Sequence, residues 1–227
     1  MNLLQRNGGR EEFWALKDVN FTIAPGETVG IIGENGSGKS TTLKLISGVL
    51  QPTQGKISVN GKVSALLELG AGFHPDLTGK DNIFLNASLL GFSRREVLAK
   101  LDDIIEFSEL GRFIDVPIRH YSSGMSMRLG FAIAINVGFD ILITDEILAV
   151  GDRAFQEKCY AQIRRFKELG KTIIIVSHDL KAVQDMCTRV LLLHQGKLVG
   201  NGDSSTVIPL YMELLGGREG ALFPPLG

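Results

Sequence analysis

Residues 28–50 read TVGIIGENGSGKSTTLKLISGVL. TVGII is a short apolar strand pattern, and TTLKLISGVL carries helical periodicity up to the turn QPTQG. Between them GENGSGKS, residues 33–40, fits G-x-x-x-x-G-K-[ST] in the strand–loop–helix setting that its chemistry needs. Gly33, Gly36 and Gly38 permit backbone conformations and a close approach that side chains would block. The backbone N–H groups running through Glu34, Asn35 and Ser37 to the helix start can wrap phosphate oxygens, with the helix dipole behind them. Lys39 would reach β- and γ-phosphates, the Ser40 hydroxyl would hold Mg²⁺, and Thr41 completes the nucleotide-facing set. A plain glycine-rich turn is the alternative, which this setting disfavours.

Outward from this stretch the pattern alternates strands and helices. DVNFTI, with Val19, Phe21 and Ile23 on one side, predicts a half-buried strand, and ISV and VSALL predict two more around the turn at 60–61. ILIT, TIIIV and VLLL are continuous apolar runs, as parallel strands buried on both faces require. A helix between the first two places Phe155, Cys159, Ile163 and Phe166 on one side and ends at Gly170. VLLLHQGKLVG predicts a closing hairpin.

From residue 77 the character changes. Thr78 with Asp81, and Ser93 with Glu96, open helical segments in the manner of capping boxes. The second segment is expected to run to Gly111, with Val97, Leu101, Ile104, Ile105 and Leu110 on one face. A third helix carries Met125, Leu129, Ala132, Ile133 and Val137. The expected organisation is one α/β domain over 1–227, with its core at 10–76 and 138–215. The sheet is mainly parallel with an antiparallel β portion, the helical insert spans 77–137, and a loose tail takes 216–227.

Composition narrows the function. The 227 residues carry a formal net charge of −1, from 24 basic and 25 acidic side chains, so no nucleic-acid partner is expected. Cys159 and Cys187 have neither metal-ligand spacing nor a disulfide framework, which suits a reducing compartment. No signal core opens the chain, and no run of about 18 apolar residues occurs anywhere. Any link to a membrane is expected through a partner.

Further residues carry chemistry. Asp145 ends ILITD and can hold Mg²⁺ directly or through water, while Glu146 is suited to activate the attacking water. Capping of the next helix is the alternative for this acidic pair, and the phosphate loop favours the catalytic reading. His178 follows TIIIV at the edge where ligands collect in open α/β sheets, as a γ-phosphate sensor or as a structural histidine. In YSSGM, residues 121–125, Ser122, Ser123 and Gly124 either cap a helix or leave its N–H groups open to an anion.

Taken in order, the phosphate loop, helical insert, YSSGM, ILITDE, AVGD and SHD resemble the ATP-binding cassette (ABC) ATPase family over nearly the whole chain. The resemblance implies a RecA-like ATPase core and hydrolysis of ATP with Mg²⁺. It also implies a head-to-tail homodimer in which YSSGM, at the position of the usual LSGGQ with Ser122 and Gly124 retained and Tyr121, Ser123 and Met125 departing, meets the γ-phosphate held by the other subunit. AVGD resembles the D-loop, with Asp152 its acid. The strings FWALKDV, ALLELGAGFHPDLTGKDNI, YSSGMSMRLGFAIA and DEILAVGD are similar to ATPase subunits of exporters of O-antigen, capsule or teichoic acid. That likeness implies a motor on the cytoplasmic side of the membrane, coupled to a separate polytopic permease; a soluble cassette ATPase is the rival. The family's usual glutamine is replaced by Glu68 or Leu69, of which Glu68 could serve the metal. Gly70 and Gly72 suit an adaptable loop against the permease or its polymer substrate. Trp14 either covers the adenine or packs on the sheet.

Overall fold

The computed structural model describes residues 13–66, 70, 72–145 and 151–220. Among these residues six strands form one sheet in the order β2-β3-β4-β1-β5-β6. Strands β1 (Thr28–Ile32), β2 (Val63–Leu66), β3 (Ile141–Asp145), β4 (Thr172–Val176) and β5 (Arg189–His194) run parallel. Only β6 (Lys197–Gly202) is antiparallel, and it closes the hairpin with β5.

The continuous apolar runs have a direct physical cause. Ile32, Leu142, Ile173, Ile175 and Leu192 point into one core layer, whereas Ile31, Ile143, Ile174, Val176 and Leu191 point into another. Period-two alternation therefore sends apolar side chains to both faces, and each face is covered. One cover is α6 (Arg153–Glu168), which buries Phe155, Cys159, Ile163 and Phe166 and is followed by Gly170 at φ 72°. Helices α7 (Leu180–Met186) and α8 (Ser204–Gly220) add Val183, Met186 and Val207 to that layer. The opposite layer takes Leu43 from α1 (Lys39–Ile46).

A separate core holds the helical segment together. It joins Ile83 and Ala87 of α2 (Gly79–Leu89), Val97 of α3 (Arg94–Leu98) and Ile104 of α4 (Leu101–Ser108). Helix α5 (Ser123–Asn136) is the wall between the two cores: Leu129, Ala132 and Ile133 face the helices, while Phe131, Ala134 and Ile135 face the sheet. That is why its burial is continuous from Leu129 to Ile135.

Several expectations need correction. Val19, Phe21 and Ile23 do alternate half-buried with exposed neighbours and pack on the sheet, but the segment is in no strand. ISV at 57–59 is likewise in no strand, with Ile57 and Val59 exposed. Alternation supplies a face but not a partner backbone, and neither segment has a ladder among the described residues. The helix expected from Ser93 to Gly111 is two helices: α3 stops at Leu98, and α4 begins behind Lys100 with Asp102 and Asp103 in its first turn. Its end is set by Glu109 in the left-handed region at φ 59°, ahead of Gly111. The loose tail expected from 216 is helical as far as Gly220, since α8 continues through it; residues 221–227 lie outside the described set.

Candidate nucleotide site

The sheet register brings the candidate residues to one edge. Ile31 of β1 pairs with Val176 of β4, and Val176 with Asp145 of β3. The phosphate loop starting at Gly33, the Asp145 carboxylate and His178 therefore leave three neighbouring strands at the same carboxyl end, where open α/β sheets bind ligands.

The loop is held from inside and behind. The Lys39 ammonium, 7 % exposed, donates to the carbonyls of Gly33 at 2.7 Å and Glu34 at 2.9 Å. Gly38 at φ 105° caps α1, a conformation that disfavours any other residue. At Gly33, φ 149°, a Cβ would collide with the Leu193 carbonyl oxygen, so the loop can lie against β5 only as glycine. Behind it, the Gly196 amide donates to the Ser37 carbonyl at 3.1 Å, and the Lys17 amide donates to Gly196 at 2.8 Å. The Ser37 hydroxyl is buried with no protein partner. Asn35, Gly36 and Ser40 are exposed, and Glu34 and Thr41 are half-buried. Glu34 stands 3.5 Å from Nδ1 of His194.

Burial pushes the Lys39 ammonium below its usual pKa, against the pull of Asp145 and Glu34. Burial pushes Asp145 up, and Lys39 and His178 pull it back. Asp145 thus stands within electrostatic reach of both the Lys39 cation and the His178 imidazole. Among the described residues no group of three or more His, Cys, Asp or Glu could hold a metal by itself. An exposed hydroxyl at Ser40 and a carboxylate at Asp145 are an oxygen donor set suited to Mg²⁺ once phosphate oxygens and water complete it.

Ser122 and Ser123 open α5, an element apart from the strands that carry the phosphate loop. Ser122 caps α5, accepting the Met125 amide at 3.2 Å, and both serines are exposed. The cap reading is therefore physically present, and it leaves the serines and the half-buried Gly124 on the rim of a 600 Å³ cleft with Arg112, Met127, Gly151 and Asp152. Tyr121 does not line the cleft, and its hydroxyl donates to the Phe113 carbonyl at 2.7 Å. Its oxygen occupies the space over Gly79 that any Cβ would need.

Trp14 is half-buried, and its carbonyl lies against Gly196, so its segment runs beside the phosphate loop. Asp152 caps α6 through the Phe155 amide at 3.0 Å and pairs with Arg128 at 2.7 Å. Glu68, Leu69, Glu146 and residues 149–150 lie outside the described residues. Sequence reading missed Arg128 and Asn82. Asn82 is fully buried and gathers the carbonyls of His74, Leu77 and Thr78 while accepting the His74 amide at 2.7 Å. The available signal was an asparagine directly before the apolar run at Ile83, Phe84 and Leu85.

Residues 16–149 match the ABC transporter family. The chain is 51% identical over 204 residues to the O-antigen export system ATP-binding protein RfbB of Klebsiella pneumoniae, covering 90% of this chain and 83% of that one. It is 48% identical to the teichoic acids export ATP-binding protein TagH of Enterococcus faecalis, over 89% of this chain and 45% of the relative. Among solved structures, it is similar to a dimeric ATP-binding cassette in a post-hydrolysis state bound to ADP and Pi. There the TM-score is 0.73 at 26% identity, covering 86% of this chain and 93% of the other.

Proposed function

The chain belongs to the ABC transporter family, and on that premise we propose that it is the ATP-hydrolysing motor subunit of a membrane exporter for lipid-linked polysaccharide of the O-antigen or teichoic-acid kind. One observation carries the motor reading: Lys39, Asp145 and His178 meet at the carboxyl edge of the sheet behind a glycine loop. The exporter reading rests on its relatives. No described helix is long and apolar enough to cross a membrane, which fits a separate permease as partner and a station at its cytoplasmic mouth.

The chain's own residues divide the work. The loop amides from Gly33 to Gly38 and the start of α1 take the β- and γ-phosphates, and Lys39 exchanges two carbonyls for phosphate oxygens. Ser40 and Asp145, with Glu68 as a further candidate, would hold Mg²⁺, which supplies charge neutralisation to the leaving phosphates. Glu146 takes a proton from the attacking water, and His178 reports on the γ-phosphate. Trp14 covers the base. Ser122, Ser123, Gly124 and Asp152 face the nucleotide bound by a second copy, so two chains close head-to-tail around two ATP molecules. The helical segment 77–137 and Gly70 and Gly72 form the permease-facing side.

Two measurements test this reading. Glu146→Gln should retain Mg-ATP binding while turnover falls about a hundredfold or more; near-normal turnover rejects Glu146 as the base. Purification of the full chain from native membranes should bring down a polytopic protein. Recovery with a ribosome or a soluble scaffold instead would favour a soluble cassette ATPase.

A further inference from the structure

The densest charge network outside the phosphate loop centres on Arg128, 19% exposed, within α5. Its guanidinium makes two ion pairs, to Glu109 at 2.8 Å and to Asp152 at 2.7 Å, and stacks over the Phe155 ring at 4.7 Å. Lys158 of α6 reaches the other oxygen of Glu109 at 3.0 Å and donates to the Phe107 carbonyl at 3.0 Å. The backbone is bent to suit. Glu109 occupies the left-handed region at φ 59°, which a residue with a side chain rarely enters. Gly151 is left-handed too, at φ 70°, and a Cβ there would stand 3.1 Å from the Arg128 Nε. One side chain therefore ties the end of α4, the body of α5 and the cap of α6, all three of which contribute to the wall of the 600 Å³ cleft.

Resting on the shared-site reading above, we propose that Arg128 is a positioning residue for ATP hydrolysis in trans. It locks the YSSGM end of α5 to Asp152 at the start of α6, so that both reach the second copy's nucleotide as one edge. Two carboxylates on different elements suit the planar fork of a guanidinium, which fixes the directions of its N–H groups where the rotating ammonium of a lysine does not. Removing one partner from a partly buried ion-pair network also destabilises the fold, so a loss of stability alone does not define the role. Only a positioning residue acts through Asp152.

The test is a double-mutant cycle on the full chain, reading ATP turnover, Mg-ATP affinity and thermal unfolding. Arg128→Gln should lower kcat about tenfold or more while leaving KM for ATP within about threefold. Asp152→Asn should also lower kcat, and the double variant should be no slower than the worse single one, because both remove the same link. Multiplying losses, or a loss that follows the unfolding temperature, overturns the proposal and leaves Arg128 structural. Should Arg128→Gln fail to fold, Arg128→Lys decides: a kcat loss at unchanged KM supports the proposal, and full kcat overturns it. Gly124→Asp separates the two readings. If that variant turns over normally, the shared site itself fails; if it is inactive while Arg128→Gln is fully active, only the positioning role fails.

Discussion

The two candidate halves of the nucleotide site are built in opposite ways. The phosphate-loop half sits on the ends of buried strands, with Lys39 already held by two carbonyls and Asp145 in its electrostatic reach. The YSSGM half sits on the exposed first turn of one helix, held by a serine cap and by ion pairs. Each design fits a different task. Wrapping a triphosphate calls for donors fixed in advance around a concavity, whereas meeting a nucleotide carried by another chain calls for exposed donors on a firm edge.

That contrast breaks most sharply at the level of binding against turnover. Lys39→Ala should weaken Mg-ATP affinity by about a hundredfold or more, since the charge-assisted bonds to phosphate vanish. Gly124→Asp should leave the affinity of the separate chain within about threefold yet abolish turnover, because a new carboxylate opposes the γ-phosphate only when the second chain arrives. Equilibrium binding and steady-state hydrolysis on the same preparations check both. Equal loss of affinity in the two variants would erase the distinction between the halves.

Mixing the two variants sharpens the comparison. In a dimer of one Lys39→Ala chain and one Gly124→Asp chain, one seam keeps an intact lysine opposite an intact glycine. With Glu146→Gln in both chains, one occluded Mg-ATP per dimer is expected where neither homodimer holds any. Heterodimers that form without occluding nucleotide would show that the halves do not work in trans.

Within the phosphate loop the same logic predicts unequal glycines. Gly33→Ala meets the Leu193 carbonyl as well as an unfavourable φ, and should cost about 3 kcal/mol. Gly36→Ala, at φ 78° with open space around it, should cost about 1 kcal/mol. Chemical denaturation of the two variants distinguishes packing strain from backbone strain alone.

The smallest expected effect lies in the helical segment. Glu96 closes the capping box of α3 with Ser93, and those hydrogen bonds hold its pKa down at about 2, against an ordinary 4.5. A depressed carboxylate stabilises the fold above pH 4.5, and the contribution is lost as pH falls toward about 2. The unfolding-temperature gap between the parent and Glu96→Ala should therefore be widest above pH 4.5 and close on acidification. A gap independent of pH would assign it to helix propensity.

What could be read from the chain followed the same division. The strands of the parallel sheet were legible because burial on both faces writes continuous apolar runs, and GENGSGKS because its chemistry is local in sequence. Caps at Thr78 and Ser93 were legible for the same reason. The segments DVNFTI and ISV misled, since a face can be read from alternation but a ladder partner cannot. The break between α3 and α4 was hidden by an apolar spacing that continues across it. Arg128 was invisible because its partners, Glu109 and Asp152, lie 19 and 24 positions away, where no periodicity speaks.

The brace behind the phosphate loop has a consequence for how the protein is made. Strand β1, which launches the loop, pairs with β4 and β5, and the loop's Ser37 carbonyl is bound by Gly196. A nascent chain carries the complete GENGSGKS string once residue 40 is translated, yet has no sheet on which to mount it. Contacts this distant in sequence form late. Nucleotide capture during synthesis thus waits for the closing hairpin to leave the ribosome, so a truncated product stalled before residue 196 displays the full motif without the cradle.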